Sequence, residues 1–522
     1  METFELIVAL TAAIVALVWL ADRINVPYPM LLMIGGLVLA LLPWTPTIEL
    51  DPEIVLVIFL PPILFQAAQT TSIRDFKLNF QPITRLAVGL VVVTTALVAL
   101  VAHLTIPGIG WPAAFVLGAV VSPPDAVAAT AIFQRLGAPK RIVTVLEGES
   151  LINDASAIVV YTFAVAAVVT GSFSLGGAVL EFFLVVIVGV LVGLVMGRIL
   201  GSLVMILREP SLSMAAILMA PVGAYVIAEN LGGSGVLAVV VMGLIHGYFS
   251  ARSMSPATRI RSMALWELVT ILVNGFVFIL IGLELGALRD TLSRQRVTEI
   301  LWHALAVLVA MVVARFLYIF AGTLSRSRHA DAELTRADLK YQFVIAWSGL
   351  RGVVSLATAL ALPLVTDSGA PFDHRDEIIL ITAMVIVVTL FGFGMPLPWI
   401  LRKLQFAEDK SHAEEMALAQ KTVQRTMYES LVQTIKDSPE LQDQLGPVIE
   451  QFQERFDQMK SMTETKTAEQ IHEMMQPRTL QRQKAINAAR IALLELRDSG
   501  EIGDEVRREV ERNLDLQELQ LT

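Results

Sequence analysis

Glu147-Gly148-Glu149-Ser150-Leu151-Ile152-Asn153-Asp154 puts three carboxylates and an amide where an apolar helix is starting, and Ala155-Ser156-Ala157-Ile158-Val159-Val160-Tyr161 continues that helix. Each ionised group near the middle of a membrane span costs roughly 2.5–3.5 kcal/mol on an insertion scale, so acids inside a span face a polar cavity and mark an ion or proton path. The rest of the chain supports a membrane setting. Its 522 residues are 55% hydrophobic and only 17% charged, with a mean hydropathy of +0.66, which is too apolar for an ordinary soluble enzyme. The first apolar run starts within the acidic Met1-Glu2-Thr3-Phe4-Glu5 and lacks a small-residue cleavage site, so it reads as a retained span and not a signal peptide.

Apolar windows long enough to cross a bilayer fall at about 4–21, 28–42, 54–70, 83–104, 112–134 and 142–169. A second set follows at about 178–206, 211–230, 233–249, 262–287, 298–324, 339–362 and 376–401. The expected fold class is therefore all-α and polytopic, with thirteen transmembrane helices. Basic residues concentrate on alternating connections: Arg74 and Lys77; Arg135, Lys140 and Arg141; Arg252, Arg259 and Arg261; Arg326, Arg328 and Arg336. By the positive-inside tendency these loops are cytoplasmic, which puts the amino terminus outside and the tail inside, although Arg289, Arg294 and Arg296 break the pattern.

After about residue 405 the composition turns to Glu, Gln, Lys and Arg, with Met416, Val423, Met427, Leu431 and Ile435 at helical spacing. The expected organisation is a membrane domain over 1–404 and a helical cytoplasmic tail over 405–522, the last tail helices lying near 478–498 and 503–518. The tail reads as a stabilising or dimer-supporting appendage, with an ion- or pH-sensing regulator as the alternative. It holds 23 acids against 15 bases, so most of the net charge of −9 sits there, and neither part offers the basic surface that nucleic acid requires. The absence of cysteine excludes disulfides, thiolate metal sites, iron–sulfur clusters and cysteine nucleophiles. No His-Glu-x-x-His spacing and no P-loop lysine occur, so neither zinc chemistry nor the usual nucleotide hydrolysis is expected.

Helical spacing puts Glu147, Ser150 and Asp154 on one stripe, with Glu149 and Asn153 four apart on the next. A hard monovalent cation takes such oxygen ligands, and a carboxylate can exchange it for a proton. Desolvation is expected to bring the two into competition near physiological pH at Asp154, whereas Glu149 reads as a packing group. The preceding span is interrupted by Ser122-Pro123-Pro124-Asp125. Two prolines remove two amide donors and leave carbonyls of the first half-helix free, and Asp125 can cap the half-helix that begins at Ala126. In the twelfth span, Trp347-Ser348-Gly349-Leu350-Arg351-Gly352 sets an arginine between two glycines in an apolar run. Its expected partner is Glu149, with the carbonyl end of a broken half-helix beside it. The spacing of the two irregular spans fits inverted repeats of six spans each, and discontinuous helices near the midplane are how transporters build ion sites. Glu229, Glu267, Asn274, Glu284 and Arg315 read as packing or interface groups, and His246 as an inert histidine at a loop edge.

In order along residues 1–404, Ser122-Pro123-Pro124-Asp125, Glu149-Ser150 with Asn153-Asp154, Ala228-Glu229 with Ser234-Gly235, Phe278-Ile279-Leu280-Ile281-Gly282-Leu283-Glu284 and Gly349-Leu350-Arg351-Gly352 resemble sodium/proton antiporters of the cation/proton antiporter-1 family. The resemblance implies crossed, unwound helices in a core domain, a separate dimerisation domain and hence a homodimer, and elevator-like alternating access in a bacterial inner membrane. It makes Asp154 the exchanging carboxylate, and Asp125, Ser150 and the Pro124 carbonyl candidate ligands, so that Na+ is held at Asp154 and Asp125. Glu149 and Arg351 match the family's structural ion pair, with Asn153 beside it. Two positions depart from the family pattern: Pro124 stands where threonine is common, and Gln66, also a candidate ligand, stands where an acid is common. No cofactor is implied beyond the transported Na+, or Li+, and H+.

A single exchanging carboxylate is neutralised equally by one proton or one sodium ion, which predicts one-for-one, electroneutral exchange. Three other readings compete. Potassium/proton exchange could use the same site. An intramembrane aspartyl protease would pair Asp125 with Asp154, but it requires a Gly-x-Gly-Asp sequence that is missing. A membrane sensor or scaffold driven by the tail is the third.

Overall fold

The computed structural model describes residues 2–24, 26–40, 52–125, 129, 130, 133, 139–171, 175–207, 209–291, 294–330, 335–404, 406, 426, 429, 432, 433, 436, 437 and 516. The chain divides into two units, Met1–Glu408 and Asp409–Thr522. In the second, Gln433 Nε2 donates to Asp437 Oδ1 at 2.9 Å, the i,i+4 pairing of a helix. The tail helices expected at 478–498 and 503–518 lie, apart from Leu516, outside the described residues.

The first unit is helical. It runs through α1 (Glu2–Ile24), α2 (Tyr28–Ala40), α3 (Pro52–Thr70), α4 (Ile73–Leu78), α5 (Phe80–Thr105) and α6 (Trp111–Val121), then α7 (Lys140–Thr170), α8 (Leu175–Ile206) and α9 (Pro210–Asn230). It continues with α10 (Gly235–Ser253), α11 (Pro256–Thr291), α12 (Arg294–Ala330), α13 (Arg336–Trp347), α14 (Val353–Leu360) and α15 (Arg375–Leu404). Among the described residues eight helices are long and apolar enough to cross a membrane, and four shorter apolar helices, Tyr28–Ala40, Val57–Thr70, Trp111–Val121 and Gly235–Ser250, accompany them. The expected span at 339–362 is two short helices, α13 and α14, separated by Ser348–Gly352. The span at 112–134 is likewise interrupted after Val121, because Pro123 and Pro124 cannot donate to the turn before them, and Ala129, Thr130 and Phe133 beyond the break are helical.

The packing shows why small residues recur. A β-carbon on Gly36 of α2 would collide with the Ile279 carbonyl of α11, and one on Gly282 with the Met33 carbonyl, so the two backbones touch. That is the close approach that membrane helices use in place of a hydrophobic driving force. Elsewhere α8 lies along α10, α10 on α3, α6 on α5 and α7, and α12 on α5 and α15. Large apolar side chains face outward on several helices, including Val92, Leu100, Phe183, Leu191, Val195, Leu305 and Val309, a surface suited to lipid and not to water.

Two of the spanning helices carry a π-helical turn, Arg85–Leu90 in α5 and Leu390–Gly394 in α15. Widening the turn frees carbonyls from the regular ladder, and neighbouring side chains take them up. The Tyr318 hydroxyl of α12 donates to the Arg85 carbonyl at 3.0 Å, and Trp347 Nε1 of α13 donates to the Phe393 carbonyl at 3.0 Å.

Candidate functional site

The breaks after α6 and α13 meet. Asp125 N–H donates to the Leu350 carbonyl at 2.8 Å, tying one unwound segment to the other through the backbone. The glycines flanking Arg351 exist because of what approaches them. A β-carbon on Gly352 would collide with the Asp125 carboxylate, and one on Gly349 would come within 2.6 Å of Arg315 Cδ. The sequence Gly349-Leu350-Arg351-Gly352 thus admits an aspartate on one side and an arginine on the other.

Arg351 is 2% exposed. Its Nε donates to the Val121 carbonyl at 2.7 Å and its Nη2 to the Ser122 carbonyl at 3.1 Å, while Nη1 turns back to its own Gly349 carbonyl at 2.6 Å. It therefore caps the C-terminal end of α6, where carbonyls and the helix dipole present negative charge. The Arg351 amide is held in turn by the Thr389 hydroxyl at 3.2 Å. The expected pairing of Arg351 with Glu149 is corrected by this geometry. Glu149 is bound by Arg315 of α12, whose Nη1 and Nη2 reach its two carboxylate oxygens at 2.5 and 3.0 Å. Arg315 also donates to the Ile345 carbonyl at 2.9 Å and the Ala346 carbonyl at 3.2 Å, so it caps α13 as Arg351 caps α6.

The physical reason is one of supply. Two buried guanidiniums lie within electrostatic reach of each other and of Glu149, and the broken helices provide carbonyl ends for both. Arg315 reaches Glu149 with its planar fork in a bidentate arrangement, leaving Arg351 to the carbonyls of α6. Arg315, read from the sequence as a packing group, is thus the partner of Glu149 that sequence reasoning missed. A signal existed: it is a second arginine in an apolar span, and such a charge requires an acid.

Asn153 is fully buried on α7, and its Nδ2 donates to the Pro124 carbonyl at 3.0 Å, fastening α7 to the first break. Its Oδ1 is buried with no protein partner. Asp154, one residue on, is 7% exposed and lies within electrostatic reach of Asp125. Among the described residues no cationic side chain forms an ion pair with Asp154. Tyr28 is also within electrostatic reach of Asp125, and its hydroxyl accepts from Asn274 Nδ2 at 3.3 Å. Ser150 is half-buried one helical turn before Asp154. Gln66 is half-buried on α3, which packs on α7 and α14; among the described residues no hydrogen bond joins its side chain to Asp125 or Asp154. The cap that Asp125 was expected to make at Ala126 falls outside the described residues.

The other polar groups divide. Glu229 Oε1 accepts from the Gly235 amide at 2.8 Å and so fixes the start of α10. Glu267 is exposed, and the Glu284 side chain is outside the described set. His246 is not at a loop edge: it is 1% exposed, with its ring centroid 5.5 Å from that of Phe65. Outside the spans, Asp338 closes a capping box at the start of α13, accepting from the Thr335 hydroxyl and amide at 2.6 and 3.1 Å. Those hydrogen bonds hold its carboxyl below the usual range. No group of three or more His, Asp or Glu residues suited to a bound metal occurs among the described residues.

The comparisons agree with this architecture. Residues 9–403 match the family model described as sodium/hydrogen exchanger, transmembrane. An uncharacterised Na(+)/H(+) exchanger of Mycobacterium tuberculosis is 33% identical over 99% of this chain and 95% of its own length. A sodium, potassium, lithium and rubidium/H(+) antiporter of Bacillus pumilus is 31% identical over 84% of this chain and 66% of its own. The solved sodium proton antiporter MjNhaP1 of Methanocaldococcus jannaschii superposes with a TM-score of 0.60 at 21% identity, covering 77% of this chain and 99% of that one. With its broken helices, the acids Asp125 and Asp154 beside the crossing and its full-length relatives in agreement, the chain belongs to the transmembrane sodium/hydrogen exchanger family.

Proposed function

We propose that this protein exchanges Na+ for H+ across a bacterial inner membrane, with Asp154 as the group that carries either ion. The observation that carries the reading is that, among the described residues, no cationic side chain pairs with Asp154. It is buried, and the two guanidiniums nearest the crossing are already committed, Arg315 to Glu149 and Arg351 to the carbonyls of α6. A carboxylate in such surroundings is neutralised by a proton or by a bound cation, and one that accepts both in turn is an exchanger. Asp125, Ser150, the Pro124 carbonyl and Gln66 are the remaining ligands in this reading, and Asn153 Oδ1 supplies a further oxygen. Glu149 with Arg315, together with Arg351, holds the breaks open as the frame of the site.

One proton and one sodium ion neutralise one carboxylate equally, so the exchange is one for one and electroneutral, and Li+ is accepted with Na+. Alternating access proceeds by an elevator-like movement of the core against dimerisation helices of a homodimer. The membrane domain of residues 1–404 has thirteen spans in two inverted repeats, with the amino terminus outside and the helical tail of residues 405–522 in the cytoplasm. Potassium exchange at the same site is the second reading, favoured by the four-cation name of the Bacillus pumilus relative.

Proteoliposomes containing a pH dye test this. Sodium should drive proton release from the native chain, and Asp154→Asn should abolish the response while leaving the protein folded. A response to potassium alone would select the second reading. A proton flux that follows an imposed membrane potential would sink electroneutrality, and an undiminished flux in Asp154→Asn would sink the assignment of the carboxylate.

A further inference from the structure

At the end of the bundle where α5, α7 and α13 begin and α12 ends, a small, partly open cavity of about 40 Å³ lies between them. Its lining includes Arg85, Arg141, Tyr318, Tyr341, Gln342 and Gly322, and no carboxylate. This chemistry differs from that of the acid pair, and nothing in the exchange cycle uses it.

Apart from the Tyr318 hydroxyl, which donates to the Arg85 carbonyl, the lining offers donors for an anion. The Arg141 guanidinium lies over the Tyr341 ring, 5.5 Å from its centroid, a contact that orients the fork. Arg85 lies against Gly322, whose missing β-carbon would come within 2.5 Å of Nη2, so the small residue makes room for the guanidinium. The Tyr341 hydroxyl is buried with no protein partner, and an orphaned hydroxyl in a cavity wall is a donor awaiting an acceptor. Among the described residues neither arginine forms an ion pair. Asp338 is within electrostatic reach of Arg141, but its oxygen is committed to the Thr335 cap. Two arginines, an unpartnered tyrosine hydroxyl and an amide lining one cavity without an acid supply the donor types taken by a phosphate, which arginine binds bidentately.

We propose that this cavity binds a phosphate group, carried either by an anionic phospholipid headgroup or by free inorganic phosphate. The surroundings suit both sources. Basic pockets between helices hold phospholipid headgroups, and Leu78 and Phe80, 73% and 55% exposed, precede the lining residue Pro82 by four and two positions and offer apolar surface to acyl chains.

The test uses the full chain in neutral detergent, comparing cardiolipin with phosphatidylcholine, and inorganic phosphate with chloride at equal ionic strength. The readouts are the tryptophan-fluorescence melting midpoint and lipid retention by native mass spectrometry. Cardiolipin alone raising the midpoint identifies a lipid headgroup, whereas a rise with inorganic phosphate identifies the free ion. Either effect should weaken about tenfold in apparent affinity, the loss of roughly one good charged contact, in Arg85→Gln with Arg141→Gln and also in Gly322→Leu, which fills the cavity without removing charge. Tyr341→Phe, the mildest change, keeps the test decisive if those variants fold poorly, and it should weaken the effect less. A folded native protein that responds to neither probe overturns the proposal. So does a response that persists unchanged in every folded variant.

Discussion

Replacing Arg315 by methionine should damage this protein more than removing any other single side chain of the crossing, and the damage should depend on Glu149. Arg315 makes two hydrogen bonds to the Glu149 carboxylate and caps the Ile345 and Ala346 carbonyls. Both side chains are almost fully buried, at 4% and 1% exposure. Breaking such a pair by removing one member leaves an uncompensated charge and costs about 3–5 kcal/mol, whereas replacing both by neutral groups costs far less. Glu149→Gln combined with Arg315→Met should therefore recover about 2–3 kcal/mol relative to the sum of the single changes, the upper part of the range for directly interacting residues. Glu149→Gln combined with Arg351→Met should recover at least about 1 kcal/mol less, because Arg351 is hydrogen-bonded to carbonyls and not to that acid. The assay is reversible unfolding in mixed micelles titrated with sodium dodecyl sulfate, followed by tryptophan fluorescence. A coupling between Glu149 and Arg351 as large as that between Glu149 and Arg315 would refute the assignment of partners.

Other perturbations test neighbouring parts of the argument. Gly352→Ala forces a β-carbon into the Asp125 carboxylate and should destabilise the protein by about 1–3 kcal/mol, as overpacking does, with sodium-driven proton flux falling in the fraction that folds; a fully active, stable variant would contradict the crossing geometry. Tyr318→Phe leaves the Arg85 carbonyl of the π-turn without its donor and should cost about 1 kcal/mol in the same unfolding assay. Thr335→Val removes the cap of α13 and should cost about 1 kcal/mol at neutral pH. The Asp338 carboxyl is held low in the folded protein, so its contribution is present above the unfolded value near 3.9 and is lost as pH falls through the folded value. The difference between native and Thr335→Val proteins should accordingly narrow below about pH 4, and a gap that stays constant into acid would show that Asp338 plays no part in the cap.

The amino-acid sequence by itself determined the class of this protein. Runs of apolar residues at membrane length, acids and amides inside a span, and a proline pair in the middle of another leave little choice of solvent or of local structure, because these costs are paid within one segment. The breaks at Ser122–Asp125 and Ser348–Gly352 were legible for the same reason: proline lacks a donor, and an arginine between glycines cannot sit in lipid. The tertiary structure decided who neutralises whom. Arg315 and Arg351 both require partners, and the sequence does not say which guanidinium reaches Glu149 or that carbonyl ends serve the other. His246 shows the same limit, since its place at a helix end suggested a loop and packing buried it against Phe65. Propensity, burial cost and backbone donors act over a few residues and can be read in order along the chain. Pairings such as Glu149 with Arg315, 166 residues apart, depend on how separate helices pack, and only the folded chain brings them within reach.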